Sequence, residues 1–113
     1  MRSISSLLLV LTLLASCARP RTDAALRGEA AIGRYGCGSC HTIDHIPDAR
    51  GLVGPPLTNI RSRMYVAGML TNNGPNLARW IQNPHEINDR TAMPNLGVTP
   101  QDAADIAAFL YSE

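Results

Sequence analysis

No lysine occurs anywhere in this chain: all ten basic residues are arginines, set against nine acidic ones. Such a balance leaves no strong basic face in the composition for steering onto an acidic partner. With no basic run and no interleaving of aromatic and basic residues, nothing points to nucleic acid. Aromatics are scarce, with one tryptophan, one phenylalanine and three tyrosines. The apolar run from Leu7 to Leu14 is too short to span a bilayer as a helix. No segment alternates convincingly as a half-buried strand does, no internal repeat occurs, and no tract is of low complexity. A chain this short has a limited core if protein alone must supply it.

Against these absences stands Cys37-Gly38-Ser39-Cys40-His41. Two cysteines two residues apart, followed at once by histidine, form the attachment signature of a c-type haem. Each thiol adds across one haem vinyl group, and the two-residue bridge spans the gap between them. The adjacent histidine is carried under the ring, where its imidazole can ligate iron. Two other chemistries use paired cysteines, a thioredoxin-like redox pair and half of a zinc site. A redox pair has no need of the histidine and sits in a βαβ pattern, which is absent. A zinc site wants a second pair of ligands, and His45 and His85 do not supply one at finger spacing. A single covalent haem also suits the composition, because the apolar macrocycle can serve as the centre around which side chains pack.

The amino terminus reads as an export signal. Met1-Arg2 is followed by the apolar run and then by Ala15-Ser16-Cys17, the order of a charged start, a hydrophobic stretch and small residues at a boundary. Leu14-Ala15-Ser16-Cys17 also resembles the bacterial lipobox, in which the cysteine receives a diacylglycerol and becomes the first mature residue. Ordinary signal cleavage, with Cys17 incidental, is the alternative. Cysteine arithmetic favours the lipobox, since Cys17 would otherwise be an unpaired thiol in an oxidising compartment. The expected organisation is a signal at 1–16, a lipid-anchored leash at 17–22 and one domain at 23–113. That places the protein at the periplasmic face of a bacterial cytoplasmic membrane.

The domain reads as all-α. Asp23 is the expected cap of a first helix from Ala24 to about Tyr35, with Gly28 and Ile32 on one side and Gly36 breaking it. Residues 42–56 carry three prolines and two glycines and form a loop. Ser62 to Leu70 is expected as a short helix holding Met64 and Met69 in core positions. Asn76 to Gln82 reads as another helix, bearing Leu77, Trp80 and Ile81, and residues 88–97 as irregular. The clearest helix is the last, with Thr99 at the cap, Pro100 in the first turn and Asp102 behind it.

In this order the elements resemble the class I cytochromes c, over nearly all of the mature domain. The resemblance rests on the haem motif, Gly54-Pro55-Pro56-Leu57, Trp80-Ile81-Gln82-Asn83-Pro84, Thr91-Ala92-Met93 and the two terminal helices. It implies the cytochrome c fold, with terminal helices crossing where Gly28 and Ile32 meet the region of Phe109 and Leu110. It implies one haem c held by Cys37 and Cys40, with His41 and Met93 as iron ligands. The Pro55 carbonyl would orient His41, Arg63 would hold a propionate with Arg61 close enough to substitute, and Trp80 and Thr91 would line the cofactor site. His85 is the rival sixth ligand, and His45 is expected to be exposed. The segment from Leu77 to Tyr111 also looks like small cytochromes found with, or fused to, bacterial haem-copper oxidase subunits.

These features imply a one-electron carrier rather than an enzyme, with no small-molecule substrate. The expected donor is a bc-type complex or a dehydrogenase, and the expected acceptor a terminal oxidase. Two alternatives differ in class: a fixed haem subunit of an oxidase or dehydrogenase complex, and a gas-sensing or peroxidatic protein with a labile Met93.

Overall fold

A computed structural model of the chain describes residues 20–113. The signal expected at 1–16, the lipidation site Cys17 and the first part of the leash lie outside the described residues. Helix α1 spans Asp23–Tyr35, α2 Gly74–Gln82, α3 Pro84–Ile87 and α4 Pro100–Ser112. Short 3-10 turns occur at Cys37–Ser39 and Ile60–Ser62, and a small hairpin pairs β1 (Tyr65–Val66) with β2 (Leu70–Thr71).

Helices α1 and α4 form the frame, and α2 packs against α4. The cap of α1 is Thr22 rather than Asp23: the Thr22 hydroxyl accepts from the Ala25 amide at 3.2 Å. A hydroxyl at this position satisfies one of the orphan donors of the first turn. Gly36 ends the helix in the left-handed region at φ 69°, its amide returning to the last turn. Thr99 caps α4 as the sequence predicts, accepting from the Asp102 amide at 3.1 Å.

The crossing depends on Gly28. A Cβ placed there would lie 2.0 Å from the Asp105 carbonyl oxygen and 2.9 Å from the Ile106 amide nitrogen. Backbone therefore meets backbone at Asp105 and Ile106, one turn before the Phe109–Leu110 region the resemblance implies. Ala25, Ala31 and Ile32 of α1 are buried with Ala103, Ile106, Ala107, Phe109 and Leu110 of α4. Gly33 lies on the same helix with nothing within 4 Å of its Cβ position. Gly28→Ala is expected to cost about 3 kcal/mol through forced separation of the helices. Gly33→Ala is expected to stabilise by about 0.5–1 kcal/mol through helix propensity alone. Denaturant unfolding of the two variants checks this pair, and equal midpoints would contradict the close crossing.

Polar bonds lock the same interface. Asp105 is only 2% exposed, yet it is charged-paired: Arg27 donates to both its oxygens, at 2.8 and 3.0 Å. Gln101 adds a third donor at 3.1 Å. Bonding to Arg27 holds the Asp105 carboxyl below the usual carboxylate range against the opposing effect of burial. Arg34 and Tyr35 bind Asp102 one turn away. Arg21, placed in the leash by sequence, is tied to this frame by Glu29 at 2.9 Å and Glu113 at 2.8 Å. Its guanidinium also lies 5.2 Å from the Phe109 ring centre, within cation–π range.

The expected helix from Ser62 to Leu70 is corrected to the β1–β2 hairpin. Ala67 and Gly68 both take positive φ, 52° and 67°, within the connection between paired Val66 and Leu70, and backbone of this hand turns a hairpin and breaks a helix. Asn72 fixes the base of the hairpin, its side-chain amide donating to the carbonyls of Ile60 and Arg63. Met64 and Met69 consequently face outward, at 77% and 56% exposure, and are not core residues.

Candidate functional site

The attachment segment begins where α1 stops. The left-handed Gly36 turns the chain into the 3-10 element Cys37–Ser39, and the Cys40 and His41 amides both return to the Cys37 carbonyl, at 3.2 and 3.1 Å. Positions three and four residues apart in such a turn share one side. Cys37, Cys40 and His41 are thereby presented together, each half-buried. Burial pushes the Cys37 thiol up, the opposite of the lowered value a thiolate nucleophile requires. Among the described residues no three of histidine, cysteine, aspartate and glutamate gather as metal ligands, so the zinc reading lacks its second pair.

The loop that follows folds back over this segment. Gly51 donates its amide to the Gly38 carbonyl at 3.0 Å, and Gly54 to the Cys40 carbonyl at 2.8 Å. Leu57 donates to the Thr42 carbonyl at 2.9 Å. These approaches are close enough to exclude side chains. A Cβ on Gly51 would sit 2.4 Å from the Cys40 carbonyl carbon, and one on Gly38 would sit 2.8 Å from Ala49. A Cβ on Gly54 would lie 2.3 Å from His41 Cε1 and 2.7 Å from its Nδ1. The imidazole thus lies flat against bare backbone.

His41 Nδ1 donates to the Pro55 carbonyl at 2.7 Å. With that nitrogen carrying the proton, the neutral ring has its lone pair on Nε2. Arg63 reaches the same loop, donating to the Pro56 carbonyl and, at 3.5 Å, to the Thr58 carbonyl. Arg61 turns elsewhere, to the Tyr111 carbonyl of α4 at 3.5 Å.

Met93 is half-buried in the irregular segment after α3. Thr91 Oγ1 accepts from the Met93 amide at 3.2 Å, and the Thr91 amide donates to the Asn88 carbonyl at 3.2 Å. Local side-chain and backbone bonds of this kind shape a loop without helix or sheet. Trp80, half-buried on α2, packs against the core. His85 is exposed on α3, and His45 is exposed and beside Glu113 at 3.3 Å. Sequence reasoning did not assign Gly51 and Gly54 their contact role. The signal was their position within an otherwise proline-rich loop directly after the cysteine motif.

This donor set fits a covalent haem: two thiols and an oriented imidazole on one side of a turn, with a thioether on a separately shaped loop. The class so defined is a c-type haem protein. The family model described as Cytochrome c matches residues 25–112, and the chain belongs to the cytochrome c family. Its cofactor is haem c and its role electron transfer. Among curated proteins it is similar to "Cytochrome c oxidase subunit 2" of Alkalihalophilus pseudofirmus, 30% identical over 94 residues. That alignment covers 82% of this chain and 27% of the relative, so the chain spans about a quarter of its relative's length. No solved structure matches.

Proposed function

We propose that this protein is an exported, membrane-tethered monohaem carrier that accepts electrons from a bc-type complex or dehydrogenase and passes them to a terminal oxidase. The 2.7 Å bond from His41 to the Pro55 carbonyl supports the haem part of this reading; the tether rests on the Leu14–Cys17 pattern and the acceptor on the oxidase-subunit relative. Haem c supplies the one-electron ferric–ferrous couple. Cys37 and Cys40 would hold it covalently, and His41 Nε2 and Met93 Sδ would be the iron donors. Pro55 fixes the tautomer and plane of His41 and raises its basicity. Gly54 keeps that plane clear. Thr91 shapes the backbone that carries Met93, while Trp80 excludes water beside the ring. Arg63 ties down the Pro55–Thr58 loop and offers its remaining donors to a propionate.

The tether is Cys17. Replacing Cys17 with serine is expected to move the protein from the membrane to the soluble periplasmic fraction after osmotic release. Retention in washed membranes would count against lipidation. A second reading, a fixed subunit of an oxidase, draws support from the relative whose printed name is an oxidase subunit. Co-purification with oxidase activity in mild detergent would favour it over the shuttle.

A further inference from the structure

The side chain of Asn72 joins segments far apart in sequence. Both hydrogens of its amide are donated, one to the Ile60 carbonyl at 2.7 Å and one to the Arg63 carbonyl at 2.8 Å. Its oxygen accepts from the Tyr111 hydroxyl of α4. Two carbonyls on one side and a hydroxyl on the other leave one orientation in which this amide is satisfied. The neighbouring Asn73 caps α2, accepting from the Asn76 amide at 2.9 Å, so Asn72 is not needed for that task. The residues that Asn72 grips lead to His41. Ile60 and Arg63 bound a 3-10 turn closed by the Arg63 amide on the Ile60 carbonyl at 3.2 Å. From that turn the Arg63 guanidinium reaches the carbonyls of Pro56 and Thr58. Pro56 follows Pro55, whose carbonyl accepts from His41 Nδ1 at 2.7 Å. The ring of Pro56 fixes its φ, so a held Pro56 carbonyl leaves the peptide before it little freedom to turn. Among the described residues, Arg63 and His41 supply the side-chain bonds to the carbonyls of this loop from Pro55 to Thr58.

We propose that Asn72 is a positioning residue for His41. Fastened to α4 by Tyr111, it fixes the turn that aims Arg63 at the loop, and Arg63 in turn steadies the carbonyl to which His41 donates. The inference rests on the assignment of His41 and Pro55 above. A partner that holds one ring nitrogen sets the plane and basicity of the imidazole at the other. Asn72 thus acts on the iron donor through a relay of hydrogen bonds, touching neither the haem nor the histidine. A purely structural Asn72, which only fastens the base of the hairpin, would leave the His41 bond indifferent to its loss.

Solvent exchange of the His41 Nδ1 proton in the ferrous holoprotein, followed by NMR, reads the bond directly. The backbone amide of Phe109, fully buried in α4, is the internal reference for opening of the helical frame. Asn72→Ala is expected to speed Nδ1 exchange relative to Phe109 by about tenfold, the scale on which one lost hydrogen bond shifts an opening equilibrium. Tyr111→Phe removes a single hydroxyl and should speed it by about threefold; it serves as the readable variant if Asn72→Ala does not load haem. On an Arg63→Ala background, Asn72→Ala should add nothing, because its path to the loop is already cut. Gly28→Ala, which disturbs the helix crossing instead, should not raise the ratio. A native ratio in both Asn72→Ala and Tyr111→Phe would overturn the proposal. So would an Asn72 effect that adds to that of Arg63→Ala, or an equal rise in Gly28→Ala. Gly54→Ala separates the proposal from its footing. If that variant also exchanges at the native rate, the bond between His41 and Pro55 does not govern the proton, and the underlying assignment falls as well. If Gly54→Ala speeds exchange while the Asn72 and Tyr111 variants do not, the role of Asn72 alone falls.

Discussion

Met93→Ala is expected to turn a closed, low-spin haem into one with a vacant sixth position. The ferrous variant should bind carbon monoxide. Its midpoint potential should fall by something on the order of 0.1 V, because the thioether favours ferrous iron and axial ligation governs potential across the family's wide range. Stability should change less, since Met93 is only half-buried and its loop is shaped by Asn88 and Thr91 rather than by the methionine side chain. The measurement is an optical redox titration with and without carbon monoxide. A variant with native spectrum and potential would remove Met93 from the coordination sphere and make His85 the residue to test. Met93 is preferred because the family resemblance places Thr91-Ala92-Met93 after the Asn83-Pro84 segment.

Gly54→Ala should be comparably damaging from the other side of the haem. The Pro55 acceptor is a backbone carbonyl, so no side-chain replacement removes it. Gly54 offers an indirect route, because its added methyl would fall within 2.3 Å of the His41 ring. Either the imidazole rotates away, breaking the bond to Pro55, or the loop lifts and breaks the Gly54 to Cys40 bond. Both outcomes misdirect Nε2. Overpacking of this kind costs about 1–3 kcal/mol. The expected result is a lower yield of haem-loaded protein and a high-spin fraction in what is recovered. A fully loaded, low-spin variant with unchanged potential would show that the ring does not depend on this contact. The readouts differ from those of Gly28→Ala, whose clash lies at the helix crossing and should lower stability while leaving the spectrum native.

How far the sequence reaches depends on how local each determinant is. The cysteine–histidine spacing is a property of five consecutive residues, and the cap at Thr99 of four, so both were legible. The relation between His41 and Pro55 came from a family resemblance; residue chemistry alone does not place them 2.7 Å apart. Buried Asp105 was missed because its partner Arg27 lies 78 residues away. Without that partner, an aspartate in a helix reads as solvent-facing. Residues Ser62 to Leu70, with Met64 and Met69 among them, read as a helix in sequence. The decisive features are the left-handed Ala67–Gly68 turn and the Asn72 side chain reaching back to Ile60 and Arg63. Gly51 and Gly54 announced a loop, but their real constraint is the backbone and ring they lie against, which only the tertiary fold supplies.

A haem closed by His41 and Met93 is the core of the proposed carrier. The most direct test is the optical spectrum of the haem-loaded native protein, ferric and ferrous, before and after carbon monoxide. Low-spin spectra in both states, the weak far-red band of methionine-bound ferric iron, and no response to carbon monoxide are expected. A high-spin ferric spectrum, or a ferrous spectrum that shifts with carbon monoxide, would contradict it and turn attention to gas sensing or peroxide chemistry.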